Sequence, residues 1–168
     1  LLHDSAASAA LAVKDLLRCK CKSYAYLGTG KNMHWNKARL KRFKSDTAAA
    51  GQTLVTLALA SLEEKLRDLP KPCGILGAND YCAMEAYNAA TKVGLSVPDE
   101  VRIVGIDNDE AYCEAVKPGI TSVEPDFEGA GWRMAQMLAE EIDNGTSVRT
   151  EYYGPLRIVR RGSTDTTP

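Results

Sequence analysis

Apolar positions along the chain follow two rhythms, a helical one and an uninterrupted one, and the alternation between them predicts the architecture. Asp4 reads as an N-cap. After it, Ala6, Ala9, Ala10, Val13, Leu16 and Leu17 recur at helical spacing and predict a helix over residues 4–18. Ser23 to Gly28 is a short apolar, aromatic run ending in glycine, hence a strand. A loop follows, then a basic helix from near Trp35, then a short strand over residues 53–57. Residues 58–69 read as a helix stopped by Pro70 and Pro72. Cys73 to Ala78 and Val101 to Ile106 are apolar without alternation, as parallel strands covered on both faces are. Between them Asp80 is expected to cap a helix that reaches Val93 and stops at Gly94. Residues 107–119 read as a polar loop and Ile120 to Val123 as a strand. From Phe127 to Asn144 the residues Phe127, Ala130, Met134, Leu138 and Ile142 share one helical face, and Gly145 ends that helix. Leu156 to Val159 is the one strand-like stretch of the tail. Strands alternating with helices predict an α/β fold, a parallel sheet flanked by helices on both faces.

Length and charge narrow the function classes. The 168 residues suffice for one domain with a sizeable core. A net charge of −1 gives no basic footprint for nucleic acid, so any DNA contact belongs to residues outside this segment. The five cysteines, Cys19, Cys21, Cys73, Cys82 and Cys113, are odd in number and lack metal-site spacing, which fits reduced thiols in the cytoplasm. No apolar run nears the roughly 20 residues needed to span a bilayer, so no membrane partner is expected. The chain opens on Leu1 with no Met and reads as cut from something longer.

In open α/β sheets ligands bind beyond the carboxyl ends of the strands. Three polar groups are expected there: Asn79-Asp80, Asp107-Asn108-Asp109, and His34, Trp35 and Arg39 after the first strand. Carboxylates and amides share hydrogen bonds with hydroxyls, arginine donates in a planar fork, and tryptophan packs on the C–H face of a sugar ring. The set therefore suits a polyhydroxylated ligand. Each residue also has a plainer reading: Asp80 as a helix cap, Asn79 and Asp107 as turn residues, Arg39 on a solvated face, Trp35 in the core. His34 has only His3 to pair with, which argues against a metal site. The nucleophile elbow, the phosphate loop and the dinucleotide fingerprint are all missing, so neither an enzyme nor a cofactor is expected; Gly28-Thr29-Gly30 lacks the third glycine.

The run from Gly74 to Leu138, with Asn79-Asp80, Gly105-Ile106-Asp107 and Val97-Pro98 in order, resembles the effector-binding domain of the lactose-repressor/galactose-repressor family. Trp35, Arg39 and Phe43 in a W-x-x-x-R-x-x-x-F pattern and the closing Arg161 to Thr164 extend the likeness over almost the whole chain. Arg42 departs from it, standing where the family usually has glycine. The stretch GIDNDEAYCEAVKPGITSVEPD, more narrowly, looks like the xylose operon regulators, and RRGSTDT looks like their junction to a helix-turn-helix domain. The resemblance implies a type I periplasmic-binding-protein fold of two lobes and a sugar effector. It implies ligand contacts at Arg39, Asn79 and Asp107, with Trp35 and His34 as looser candidates. It also implies a homodimer that binds operator DNA through a domain outside residues 1–168, closing on the sugar to change that binding. In these terms residues 19–125 are expected to form the core of the second lobe, and helices 4–18 and 127–144 to belong to an incomplete first lobe. A periplasmic sugar receptor of an ABC transporter is the alternative reading.

Overall fold

A computed structural model describes residues 1–145 and 149–165. The chain opens with β1 (Leu2–His3) and α1 (Ser5–Arg18), followed by β2 (Ser23–Leu27), α2 (His34–Ala49) and β3 (Leu54–Leu57). Next come a 3-10 turn (Leu59–Ser61), α3 (Leu62–Asp68), β4 (Cys73–Gly77), α4 (Asp80–Lys92) and β5 (Val101–Ile106). The chain continues through α5 (Glu110–Cys113), β6 (Thr121–Pro125), α6 (Phe127–Asn144), β7 (Tyr152–Tyr153) and β8 (Pro155–Val159) to a 3-10 turn over Gly162–Thr164.

Six strands form the main sheet in the order β3-β2-β4-β5-β6-β8. All neighbours are parallel except β8, which runs antiparallel to β6 at one edge, a departure from the all-parallel expectation. From β2 the chain crosses outward to β3, whereas from β4 it crosses the other way to β5 and β6. The order therefore reverses between β2 and β4. Right-handed crossovers on either side of such a reversal put their helices on opposite faces. Accordingly α1 and α2 pack together on one face, and α3 and α4 on the other. Every residue of β2 and β4 is buried, which explains their lack of polar alternation. Ile75, Leu76, Ile103, Val104 and Ile106 form the centre of the core, with Leu16, Phe43 and Tyr26 closing one side.

Several expectations are refined. Asp4 caps α1, accepting from the Ala7 N–H at 2.9 Å. The cap of α4 is Asn79, not Asp80: its side-chain oxygen accepts from Cys82 N–H at 3.1 Å, which frees Asp80 for another role. The helix expected over 58–69 divides into the 3-10 turn and α3, and the polar loop 107–119 contains the single turn α5. Helix α1, which the resemblance assigns to the first lobe, packs on the main sheet, with Ala12, Val13 and Leu16 in its core. The buried Ser163 explains the closing R-G-S-T: its hydroxyl donates to Ile103 O at 2.6 Å and accepts from Thr121 N–H at 2.9 Å. All five cysteines are free and buried.

Candidate functional site

The carboxyl ends of β2, β4 and β5 meet where the strand order reverses, and a cleft of about 1260 Å³ opens beside them. Its walls come from four places: the start of α1 with β1, the first turns of α2, residues 107–110 after β5, and Glu124, Phe127 and Tyr152.

Arg39 organises the floor. It projects from α2 into the sheet's end and is only 3% exposed. One terminal nitrogen donates to the carbonyl of Ala78, just beyond β4. The other donates to Asp107 Oδ1 at 3.1 Å and to His3 Nδ1 at 3.3 Å. The guanidinium carbon lies 4.8 Å from the centroid of the Trp35 ring, a cation–π contact that covers one of its faces. Its Nε is buried with no partner among the described residues. A single cation thus joins β1, α2 and the ends of β4 and β5.

Asp107 is held differently. Its side chain is 37% exposed, and one carboxylate oxygen engages Arg39 while the residue lines the cleft. Burial pushes its carboxyl above the usual range, and the Arg39 charge pulls the other way. The backbone around it is unusual: φ is 116° at Asp107 and 51° at Asn108, a conformation that side-chain-bearing residues adopt only under constraint. The constraint consists of three consecutive amides. Asp107 N–H donates to Val123 O at 2.9 Å, Asn108 N–H to Ser122 Oγ at 3.1 Å, and Asp109 N–H to Asp80 Oδ2 at 2.7 Å. Asp80, freed from capping, also accepts from Ser122 O–H at 2.6 Å, so one buried carboxylate gathers the start of α4, β6 and the loop after β5. Desolvation raises its carboxyl to about 6. A Cβ on Gly105 would overlap its oxygen, which accounts for glycine in the middle of β5.

Of the residues expected at the site, Arg39, Asp107, Trp35 and His34 all line the cleft. Trp35 is half-buried against the core with Arg39 over its ring, and His34 is exposed at the first turn of α2. Asn79 stands apart: its side chain is engaged as the cap of α4 and is not among the cleft's walls. The cleft also takes in His3, Glu124 and Tyr152, whose segments lie far from Arg39 in sequence and carry no local motif that would point to a site. Among the described residues no group of three or more His, Cys, Asp or Glu side chains is arranged to hold a metal. None of the described helices is long and apolar enough to cross a membrane.

The chain is 32% identical over 94 residues to the HTH-type transcriptional regulator MalR of Streptomyces coelicolor, covering 56% of this chain and 27% of that protein. It is 30% identical over 102 residues to the xylose operon regulatory protein of Haemophilus influenzae, covering 60% and 26% respectively. The solved structure of the xylose-binding transcription activator xylR superposes with a TM-score of 0.89 at 21% identity, over 98% of this chain and 47% of that one, a likeness of fold. The chain thus spans about a quarter of these curated relatives and about half of that solved structure. A family model for the periplasmic binding protein-like domain matches residues 13–164, a span that takes in the whole six-stranded sheet and the loops at its carboxyl ends. By that match the chain belongs to the periplasmic-binding-protein-like domain family.

Proposed function

We propose that this chain is the effector-sensing part of a transcription regulator and that its cleft takes a sugar, with a pentose such as xylose the first candidate. The observation that carries the reading is the Asp107–Arg39 pair at the strand-order reversal. It presents a partly open carboxylate, held in a constrained backbone, to a cleft of ligand size. A carboxylate so fixed accepts from two vicinal hydroxyls, and Trp35, Tyr152 and Phe127 supply apolar surface for the C–H faces of a ring.

The relatives named above are transcription regulators, which favours this role over a transport receptor and over an enzyme. The DNA-reading part lies outside these residues, consistent with the net charge of −1. The mechanism is a population shift: sugar bridges this sheet and a second lobe, favours one closure angle, and re-spaces the DNA-binding domains of a dimer.

Calorimetric titration of the complete protein with D-xylose, maltose and cellobiose tests the reading. At least one sugar should bind and alter operator affinity. Asp107→Ala should weaken that binding by about 10- to 100-fold, the worth of one or two hydrogen bonds to a charged group. The melting temperature should move by no more than about 4 °C. No sugar binding, or full binding by an Asp107→Ala protein that melts far lower, would make the pair structural.

A further inference from the structure

Two histidines are present, and His3 is the one whose both ring nitrogens are engaged. Nδ1 faces an Arg39 terminal nitrogen at 3.3 Å, and Nε2 lies 2.7 Å from Ser8 Oγ. Arginine only donates, so Nδ1 must offer a lone pair. The proton then sits on Nε2 and is donated to the serine. The ring is further fixed by stacking on Tyr153, centroids 5.1 Å apart, which couples it to β7.

We infer that His3, as the neutral imidazole with its proton on Nε2, is the positioning residue that holds the Arg39 guanidinium against Asp107. This rests on the reading of the cleft as a sugar site. The logic is one of donors: the terminal nitrogen that serves Asp107 has two protons, and His3 takes the second. With both partners in place the guanidinium plane cannot turn, and the carboxylate it grips keeps one orientation toward the cleft. Neither the metal reading of histidine nor direct sugar contact is needed.

The arrangement makes the site sensitive to acid. A second proton on His3 would be placed on Nδ1, pointing at a guanidinium. Burial and Arg39 both disfavour that charge and hold the imidazole below its ordinary value of 6.5, with Asp4 opposing them. The groups that face His3 are Arg39 from α2, Asp4 beside it, Ser8 from α1 and Tyr153 from β7, with Asp107 beyond Arg39. When the ring is protonated the Arg39 contact is lost, so sugar affinity should fall on the acid side of the ordinary imidazole value of 6.5.

Two measurements on the full chain test this. Nitrogen-15 spectra of the imidazoles, assigned with His34→Gln, should show at pH 7.5 a protonated Nε2 and a bare Nδ1 for His3; the opposite tautomer overturns the inference. Titrations with D-xylose, maltose and cellobiose between pH 5.5 and 7.5 should show about tenfold weaker binding in His3→Ala at pH 7.5. His3→Asn, which keeps an acceptor near Nδ1 but cannot titrate, should bind within about threefold of the parent and lose the part of the acid-side fall that Asp107 and Asp80 do not cause. Wild-type affinity in His3→Ala, or an unchanged acid-side fall in His3→Asn, overturns the inference while the sugar site stands. If none of the sugars binds, the sugar reading falls and the tautomer alone decides the role of His3.

Discussion

Asp80 shows how one side chain sets the pH response of the fold. Its carboxylate is buried and takes hydrogen bonds from Ser122 O–H and Asp109 N–H, yet desolvation outweighs both and lifts it from 3.8 to about 6. A carboxyl raised on folding contributes stability that is complete below the unfolded value and is lost as pH rises through the folded one. Between about pH 4 and 6, therefore, acidification should stabilise the parent relative to Asp80→Asn, which cannot titrate there. A rise of about 2 units corresponds to at most about 3 kcal/mol. Chemical denaturation of both proteins at pH 7 and pH 4.5 measures the difference; equal pH profiles would mean that Asp80 ionises normally. The sequence offers this residue as a cap or as part of a polar group at the strand ends, and nothing local in it points to this buried role. Asn79 and Asp80 both suit a helix start, and what separates them is long-range: Asn79 caps through Cys82 N–H, while the Asp80 carboxylate is bonded by Ser122 and Asp109.

At the scale of elements, α6 contrasts with the helices on the main sheet. Its apolar residues are largely open, with Trp132 70%, Leu138 60% and Ile142 73% exposed, whereas Ala9, Ala12, Val13 and Leu16 of α1 are buried. Its charged ties run to the segment that follows it, where Arg133 bonds Glu151 at 2.6 and 2.7 Å and Arg149 bonds Glu140 at 2.8 Å, beside the ring contact of Phe127 with Tyr153. Exposed ion pairs are weak holds. Hydrogen exchange on the 168-residue chain should accordingly show α6 amides exchanging orders of magnitude faster than those of α1 and α4. Equal protection would mean that α6 has found a partner, such as a second copy. Elements of this kind were the most legible in sequence, because periodicity reports a helix whether or not its face is covered. The two-residue strands β1 and β7 were not legible, since two residues carry no period, and they bring His3 and Tyr152 to the cleft. The antiparallel β8 was hidden for a related reason: its residues name a strand but not its direction.

The whole molecule is closed by its tail. After β8 the chain returns beneath the sheet, where Ser163 bridges β5 and β6, and Arg161 reaches Asn108 Oδ1 at 3.0 Å and Ile120 O at 3.1 Å. Ser163→Ala would leave a buried carbonyl and a buried amide unpaired, at a cost of about 1–3 kcal/mol. Urea denaturation reads this directly, and a loss under about 0.5 kcal/mol would show that water replaces the hydroxyl. The alternation of strands and helices was available from the chain alone, as was Asp107, which leaves a strand end, whereas Arg39 lies inside α2 and is singled out by the W-x-x-x-R-x-x-x-F pattern. The tail's role was not, since it depends on partners more than 40 residues away.

The reversal of strand order between β2 and β4 has an evolutionary corollary. It brings three separate connections together at the floor of the cleft, each leaving a strand whose register is set elsewhere by main-chain bonding. Arg39 and Asp80 bond these connections to one another, so a change in any one of them must keep those contacts or be matched in the others, while the pairing beneath stays as it is. Diversification of what such a scaffold recognises then proceeds by concerted exchange of short segments, while the sheet serves as an invariant chassis.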